Sequence, residues 1–467
     1  MTRLLIVTAS SLALASCAVG PNYVSPAPQA PAQVEFTSAA DPAFAPDEPP
    51  GDWWTLFDAP ALDRLIDEAL AANTDLRVAA ANLERARAAL GEVRSARLPS
   101  TDLSASSQYS RQPGATAGVD GPLYEGEIYD GGLGVSYQVD LFGRIRRGIE
   151  ASRADLGAAQ ASYDLARISV VAETARAYAQ ACSAGRQLSV ARESLRVQEE
   201  TFDLTRRLEE GGRGTGLDTS RANALLEQTR AALPGFAADR RAALFSLAVL
   251  TGRAPSQFPS DVAICEEPPA IAVALPVGEG AGLLARRPDV RAAERRLAAA
   301  TARVGVATAD LYPNVTLGGS IGTTATSLDD LGSDRSLRFS LGPLISWSFP
   351  NITASRARLR QAEAASEAAL AVFDGAWLNA LRESETALTR YASQREQVKS
   401  LGLSRDQNAE AARIARLRYQ QGAESFQIVL DAERSLAASE AVLAESRASL
   451  SNQAISLFLA LGGGWQE

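Results

Sequence analysis

Histidine is absent from all 467 residues, which removes Ser-His-Asp triads, His-ligated metals and HExxH helices together. The chemistry left to the chain is a short set of cysteines, acids and glycines. Glu209-Glu210 and Asp329-Asp330 fall in turns, where neighbouring carboxylates are solvated and have no nucleophile or base to act with. Gly211-x-x-Gly214 has a spacing seen in phosphate-cradling loops, yet no Lys-Ser or Lys-Thr follows and no strand precedes it, so it is not a nucleotide site. Asp218 and Asp431 fall at or near helix starts, where the helix dipole stabilises a carboxylate. The sequence predicts no catalytic residue, no metal site and no enzyme.

Three cysteines remain. Cys17 closes a stretch with one early cation, Arg3, and an apolar run from Leu4 to Ala15 too short to span a bilayer. Leu14-Ala15-Ser16-Cys17 matches a bacterial lipobox, in which cleavage leaves Cys17 as the new N-terminus carrying lipid. Residues 1–17 are thus read as a lipoprotein signal peptide, and the covalent lipid on Cys17 is the only prosthetic group expected. Ala18 follows where an Asp would argue against forwarding to the outer membrane. Cys182 and Cys265 are too few for a disulfide framework and read as small buried apolar residues; whether they pair stays open. A net charge of −9, with arginines spread along helical segments, argues against nucleic acid.

The elements that position these residues come in duplicate. Adding 214 to Asp75, Arg77, Leu83, Gly91 and Pro99 lands on Asp289, Arg291, Leu297, Gly305 and Pro313, and adding 210 maps Gly212 to Gly422 and Gly252 to Gly462. An extended N-terminal linker, 18–59, leads into a first repeat, 60–252. That repeat reads as a helix, strands at about 101–111 and 131–142, and a long helix pair over 144–251. An inter-repeat linker, 253–275, precedes the second repeat, 276–462, with strands at about 313–325 and 336–349 and a pair over 353–461; residues 463–467 are a tail.

The strands alternate an oily face with a wet one. Leu133, Val135 and Tyr137 alternate with Gly134, Ser136 and Gln138, and Leu337, Phe339 and Leu341 with Arg338 and Ser340. No later stretch offers about 20 consecutive apolar residues, so any membrane crossing belongs to a closed barrel. Four strands cannot close one, because the smallest membrane barrels use about eight, and the chain is expected to oligomerise. The long segments are rich in helix formers and nearly free of proline, and each would reach roughly 100 Å at ~1.5 Å per residue. Leu156, Tyr163 and Val170, then Leu188, Leu195 and Phe202, recur every seven residues, as coiled coils require. Pro234-Gly235 is expected to kink or break the first return helix.

The whole chain resembles the outer membrane efflux protein (TolC) family, and within it the lipoprotein branch called NodT-type. The resemblance is carried by Cys17-Ala-Val-Gly-Pro-Asn-Tyr, Trp53-Trp54-Thr-Leu-Phe, Arg286-Arg-Pro-Asp-Val-Arg, Leu311-Tyr-Pro, Arg418-Tyr-Gln-Gln-Gly and Leu430-Asp-Ala-Glu-Arg. It implies a mainly α fold with a transmembrane β-barrel. In such a homotrimer four strands per protomer give twelve, and long helices form an α-barrel reaching into the periplasm. It further implies a passive exit duct for drugs or other small molecules, working with a periplasmic adaptor and a resistance-nodulation-division inner-membrane pump. A duct for type I protein secretion, or a non-porous lipid-anchored scaffold, is the alternative. On the same resemblance, Gly211, Gly212, Gly214, Gly216 and Gly422 mark hairpin turns where the adaptor docks, and Asp218 and Asp431 form rings at the periplasmic entrance. Ile428 stands where some relatives carry a further Asp.

Overall fold

The computed structural model of the chain describes residues 18–26, 36–113, 115, 118, 120–278, 282, 287–349 and 352–463. Cys17, the lipobox, Arg286 and the last four residues lie outside them. The main elements, in chain order, are β1 (Phe44–Ala45), α1 (Pro60–Ala72), α2 (Thr74–Ser95), β2 (Ser100–Pro113), β3 (Pro122–Val139), α3 (Arg144–Glu210) and α4 (Gly216–Leu250). They continue as β4 (Leu275–Pro276), α5 (Pro288–Ala309), β5 (Asn314–Ala325), β6 (Leu337–Ser346), α6 (Thr353–Gln420) and α7 (Phe426–Ala460). Among the described residues no helix is long and apolar enough to cross a membrane.

The chain divides into two compact units. The first holds residues up to Pro26, Leu83–Ala159 and Ala292–Asp374, and contains the sheet. Its four strands run in the order β2-β3-β5-β6, each pair antiparallel, so the two repeats meet where β3 pairs with β5. β3 begins nine residues ahead of the expected start at 131, because the ladder continues through Glu125 and Glu127, where apolar alternation lapses but backbone pairing does not. β6 stops at Ser346, short of the expected 349; beyond it Trp347 and Phe349 stack with ring centroids 4.8 Å apart.

The second unit holds Ala27–Asn82, Gln160–Arg291 and Gly375–Glu467 and carries the main core. Trp53 is fully buried and stacks on Phe458 at 5.0 Å, with Leu62, Leu65, Ile66, Leu247, Leu388 and Ile455 around it. The later part of the segment read as an extended linker, from Phe36 to Phe57, therefore contributes to this core, and β1 within it pairs in parallel with β4 at the end of the inter-repeat segment. Heptad positions Val170 and Leu188 are buried. The helix of the first repeat is split at Asn73, whose Oδ1 accepts the backbone N–H groups of Asp75 and Leu76 and so caps α2. The same Asn73 donates through Nδ2 to the carbonyl of Leu250, the last residue of α4. Its duplicate, Arg287, donates through Nη1 to Ala460 O, the last residue of α7. The two repeats thus satisfy the same orphan helix-end carbonyl with different side chains.

Two expectations are corrected. α4 runs unbroken through Pro234, which lies on an exposed face where water can take the Arg230 carbonyl that loses its partner. Cys182 and Cys265 are not independent apolar residues but form a disulfide closing 83 residues of chain. The approach depends on Gly185, because a Cβ there would sit 2.1 Å from the Cys265 carbonyl oxygen. Replacing both cysteines by serine is expected to cost about 2–5 kcal/mol, the range for such a closed loop. A thermal melt of Cys182→Ser/Cys265→Ser superimposing on the wild type would show that the bridge contributes nothing.

Candidate conduction surface and helical hairpin turns

The ladder aligns like side chains across all four strands. Leu103 faces Leu133, Leu133 faces Ile321 and Ile321 faces Phe339, giving an unbroken apolar row. All four are exposed on the single chain, Leu103 by 84% and Phe339 by 80%. One residue along, on the opposite face, Asp102, Gly134, Ser320 and Ser340 form a polar row, and the Ser320 and Ser340 hydroxyls lie 2.8 Å apart. Next to it Ser104, Gly132, Gly322 and Arg338 line up, and Arg338 reaches over the glycines to Asp130 at 2.7 Å. Gly322 has no alternative here, since a Cβ would lie 2.5 Å from Gly131 O. One face suits lipid and the other suits water.

The helical hairpins end in two nearly identical turns in the second unit. Arg213 N bonds Leu208 O at 2.8 Å and Gly212 N bonds Glu209 O at 2.9 Å; Ala423 N to Arg418 O and Gly422 N to Tyr419 O repeat the pattern, both at 2.9 Å. This is a Schellman closure, and it requires the positive φ that Gly212 and Gly422 supply, 69° and 72°. Gly214 serves close approach, as a Cβ there would be 3.0 Å from Glu209 N.

The matching of sequence and element order extends to known proteins. The sequence model of the outer membrane efflux protein family fits residues 65–253 and fits again at 282–463, one match for each repeat. The chain belongs to that family. It is 30% identical to nodulation protein T of Rhizobium leguminosarum bv. trifolii, over 97% of this chain and 96% of that protein. It is 31% identical to outer membrane protein OprJ of Pseudomonas aeruginosa, over 98% and 95% respectively. Among solved structures it is similar to the outer-membrane channel OprN, with a TM-score of 0.91, 38% identity and coverage of 97% and 100%. It is also similar to the outer membrane protein VceC of Vibrio cholerae, with a TM-score of 0.81, 28% identity and coverage of 90% and 100%.

In this member of the outer membrane efflux family the two acids singled out by sequence lie at the turn end of the hairpins. Asp218 is half-buried and sits three residues past the N-cap Thr215, whose Oγ accepts from Asp218 N at 3.3 Å and donates to Asp218 Oδ2 at 2.7 Å. That is a helix-capping arrangement. Asp431 is exposed and accepts from Gln427 Nε2 at 3.0 Å; Arg221 Nη1 of the first hairpin donates to Gln427 Oε1 at 3.2 Å. The two hairpins are therefore joined side by side, through Arg221–Gln427 and through an apolar cluster of Ala222, Leu225, Ala415, Phe426, Val429 and Leu430. Burial, then the nearby Asp218 carboxylate, raises the Tyr419 hydroxyl above its ordinary value.

Sequence reasoning missed Glu433. It is buried, 2% exposed, two residues past Asp431, with Arg416 Nε of the partnering helix 2.8 Å from Oε1. The contact is an ion pair without hydrogen-bond alignment, and desolvation outweighs it, holding the carboxyl above the usual range. The only available signal was a charge at a heptad-like inward position in Leu430-Asp-Ala-Glu-Arg.

A raised folded-state pKa means the native chain binds this proton more tightly than the unfolded chain. The stabilisation is fully present below the ordinary carboxylate range and is lost as pH rises through the raised value. Glu433→Gln keeps the shape without the charge and is expected to flatten this part of the stability profile. Thermal melts of both proteins between about pH 4.5 and 8 read it, and an unchanged pH slope in the variant would refute the assignment.

Proposed function

We propose that the chain is the outer-membrane exit duct of a tripartite efflux pump, passively conducting drugs or other small molecules that an energised partner delivers. The observation that carries this reading is a four-stranded sheet, apolar on one exposed face and polar on the other, whose outer strands β2 and β6 each have an edge paired with no further strand among the described residues. In a bilayer such edges need closure, and three copies of four strands supply a twelve-stranded barrel with the polar rows inside. The long helices then extend into the periplasm, with the Gly212 and Gly422 turns at the far tip as the docking place for a periplasmic adaptor. The inner-membrane partner is a resistance-nodulation-division pump.

Two further relatives support the assignment. One is a toluene efflux pump outer membrane protein, TtgF of Pseudomonas putida, 31% identical; another is a probable outer membrane lipoprotein, SilC of Salmonella typhimurium, 30% identical. Cys17 carries the lipid anchor in this reading. The Cys182–Cys265 bridge fits exposure of the second unit to an oxidising compartment such as the periplasm.

Asp218 and Asp431, each present three times, form acidic rings at the tip and favour cations. With Ile428 three residues before it in place of a further Asp, Asp431 forms a single ring. Reconstituted as a trimer in a planar bilayer, the protein is expected to conduct ions with cation preference, and the Asp218→Asn/Asp431→Asn pair to reduce that preference in the reversal potential. A correctly trimeric protein with no conductance would overturn the duct. For the efflux role, deleting the gene is expected to sensitise cells to several drugs and detergents, whereas loss of a secreted protein with unchanged sensitivity would point to type I secretion.

A further inference from the structure

Almost every residue of the segment Ala18–Tyr23, which directly follows the lipobox, is held by the first unit. Val19 N donates to Phe142 O at 3.2 Å. The Arg147 guanidinium, itself buried, donates from Nε to Val19 O at 3.2 Å, and from Nη2 to Gly20 O at 3.2 Å and Asn22 Oδ1 at 2.8 Å. Its Nη1 is held by Glu150 at 2.8 Å, which fixes the fork, and Tyr23 Oη donates to Glu294. Two glycines make room. A Cβ on Gly143 would sit 2.8 Å from Ala18 Cα, and Gly20, at φ 87°, lies so close to Gly305 that a Cβ on Gly20 would be 2.6 Å from Gly305 Cα.

The internal duplication supplies a control. By the 210 offset, Gly143, Arg147 and Glu150 correspond to Thr353, Ala357 and Arg360. The matching start of α6 in the second repeat has none of the three residues. Likewise Gly91, the counterpart of Gly305, has open space where its Cβ would be.

The cradle sits at the helix-side end of the sheet. Phe142 stacks on Tyr312 at 4.6 Å, and Trp347, stacked on Phe349, donates from Nε1 to Leu311 O at 3.2 Å. Such a group of partly exposed aromatics at strand ends is the mark of a membrane interface.

We propose that Arg147, with Gly143 and Gly305, is a built receptor for the chain's own N-terminal strap, and that it positions the lipid-bearing Cys17 beside the inner aromatic belt of the barrel. Cys17 directly precedes Ala18 in the sequence. The placement of lipid rests on the lipoprotein and barrel readings; the receptor itself does not. Arg147 is thus a positioning residue. With the strap held there, acyl chains enter the leaflet directly beneath the belt, so the anchor adds no slack between lipid and barrel.

The test uses the full-length purified trimer and two readouts. Mass spectrometry of the N-terminal peptide reports whether Cys17 is acylated. Hydrogen exchange of the peptides covering 17–26 and 100–113 reports strap docking and sheet integrity separately. The strap of the wild type is expected to be protected. Asn22→Ala and Arg147→Gln each remove charge-assisted bonds and should speed strap exchange by about tenfold or more, with the sheet peptide unchanged. Gly305→Val should do the same, because a Cβ there would lie 2.8 Å from Arg147 Cγ and Cδ and displace the guanidinium that holds the strap. Asn22→Ala changes only the strap, so it remains informative if an Arg147 variant fails to fold. Strap exchange unaltered by Asn22→Ala and Gly305→Val overturns the receptor, as does loosening of strap and sheet together. An unacylated Cys17 with a docked strap overturns the lipid reading and leaves the receptor standing.

Discussion

A strand edge carries a row of unpaired N–H and C=O groups, and in hydrocarbon each of them costs several kcal/mol. β2 and β6 each bring such an edge to a sheet whose exposed face is already leucine, valine, isoleucine and phenylalanine. That combination is unstable in water on its face and unstable in lipid at its edges. Closing the ring with further copies, as proposed above, would resolve both. In the proposed barrel the polar rows would face inward and need small side chains where strands crowd, which the run of glycines and serines at 131–136 and 318–322 supplies.

The helical part answers a different constraint, the orphan carbonyls at the ends of very long helices. At the turns these are met by Schellman closures around Gly212 and Gly422, and at the opposite ends by Gly252 and Gly462, also at positive φ. The last carbonyls of the return helices are then bound by Asn73 in one repeat and Arg287 in the other, the latter tied to Asp289 and Glu383 at 2.6 and 2.8 Å. Arg287 extends beyond the shorter Asn73, so the duplicated fold has kept the bond while changing the residue. Departures from the duplication carry information of their own, as at Arg147 and its counterpart Ala357.

Much of this was legible in the sequence because it is written in local periodicity. The start of α3 at Arg144 and the ends of both hairpins came within a residue or two of the pattern, and the alternation of Leu133, Val135 and Tyr137 read true. What escaped was non-local or rested on a single group. The Cys182–Cys265 bridge joins residues 83 apart and depends on the missing side chain of Gly185. The early part of β3 is backbone pairing without apolar alternation, so no periodicity marks it. Asp218 stood out by position, yet its role as a capping partner of Thr215 and its nearness to Tyr419 appear only in three dimensions. Glu433 is buried by neighbours on another helix, which no run of local sequence reveals.

The central claim is that the two faces of the sheet meet different solvents. Single cysteines placed at Ser136, Ser320 and Ser340, and at Leu133, Ile321 and Leu341, in the trimer reconstituted into a bilayer, test it through reaction with a hydrophilic thiol reagent. Rapid labelling of the first set and protection of the second is the predicted result. Equal labelling of both, or reaction of the apolar set alone, would contradict a sheet with lipid on one side and a water-filled lumen on the other.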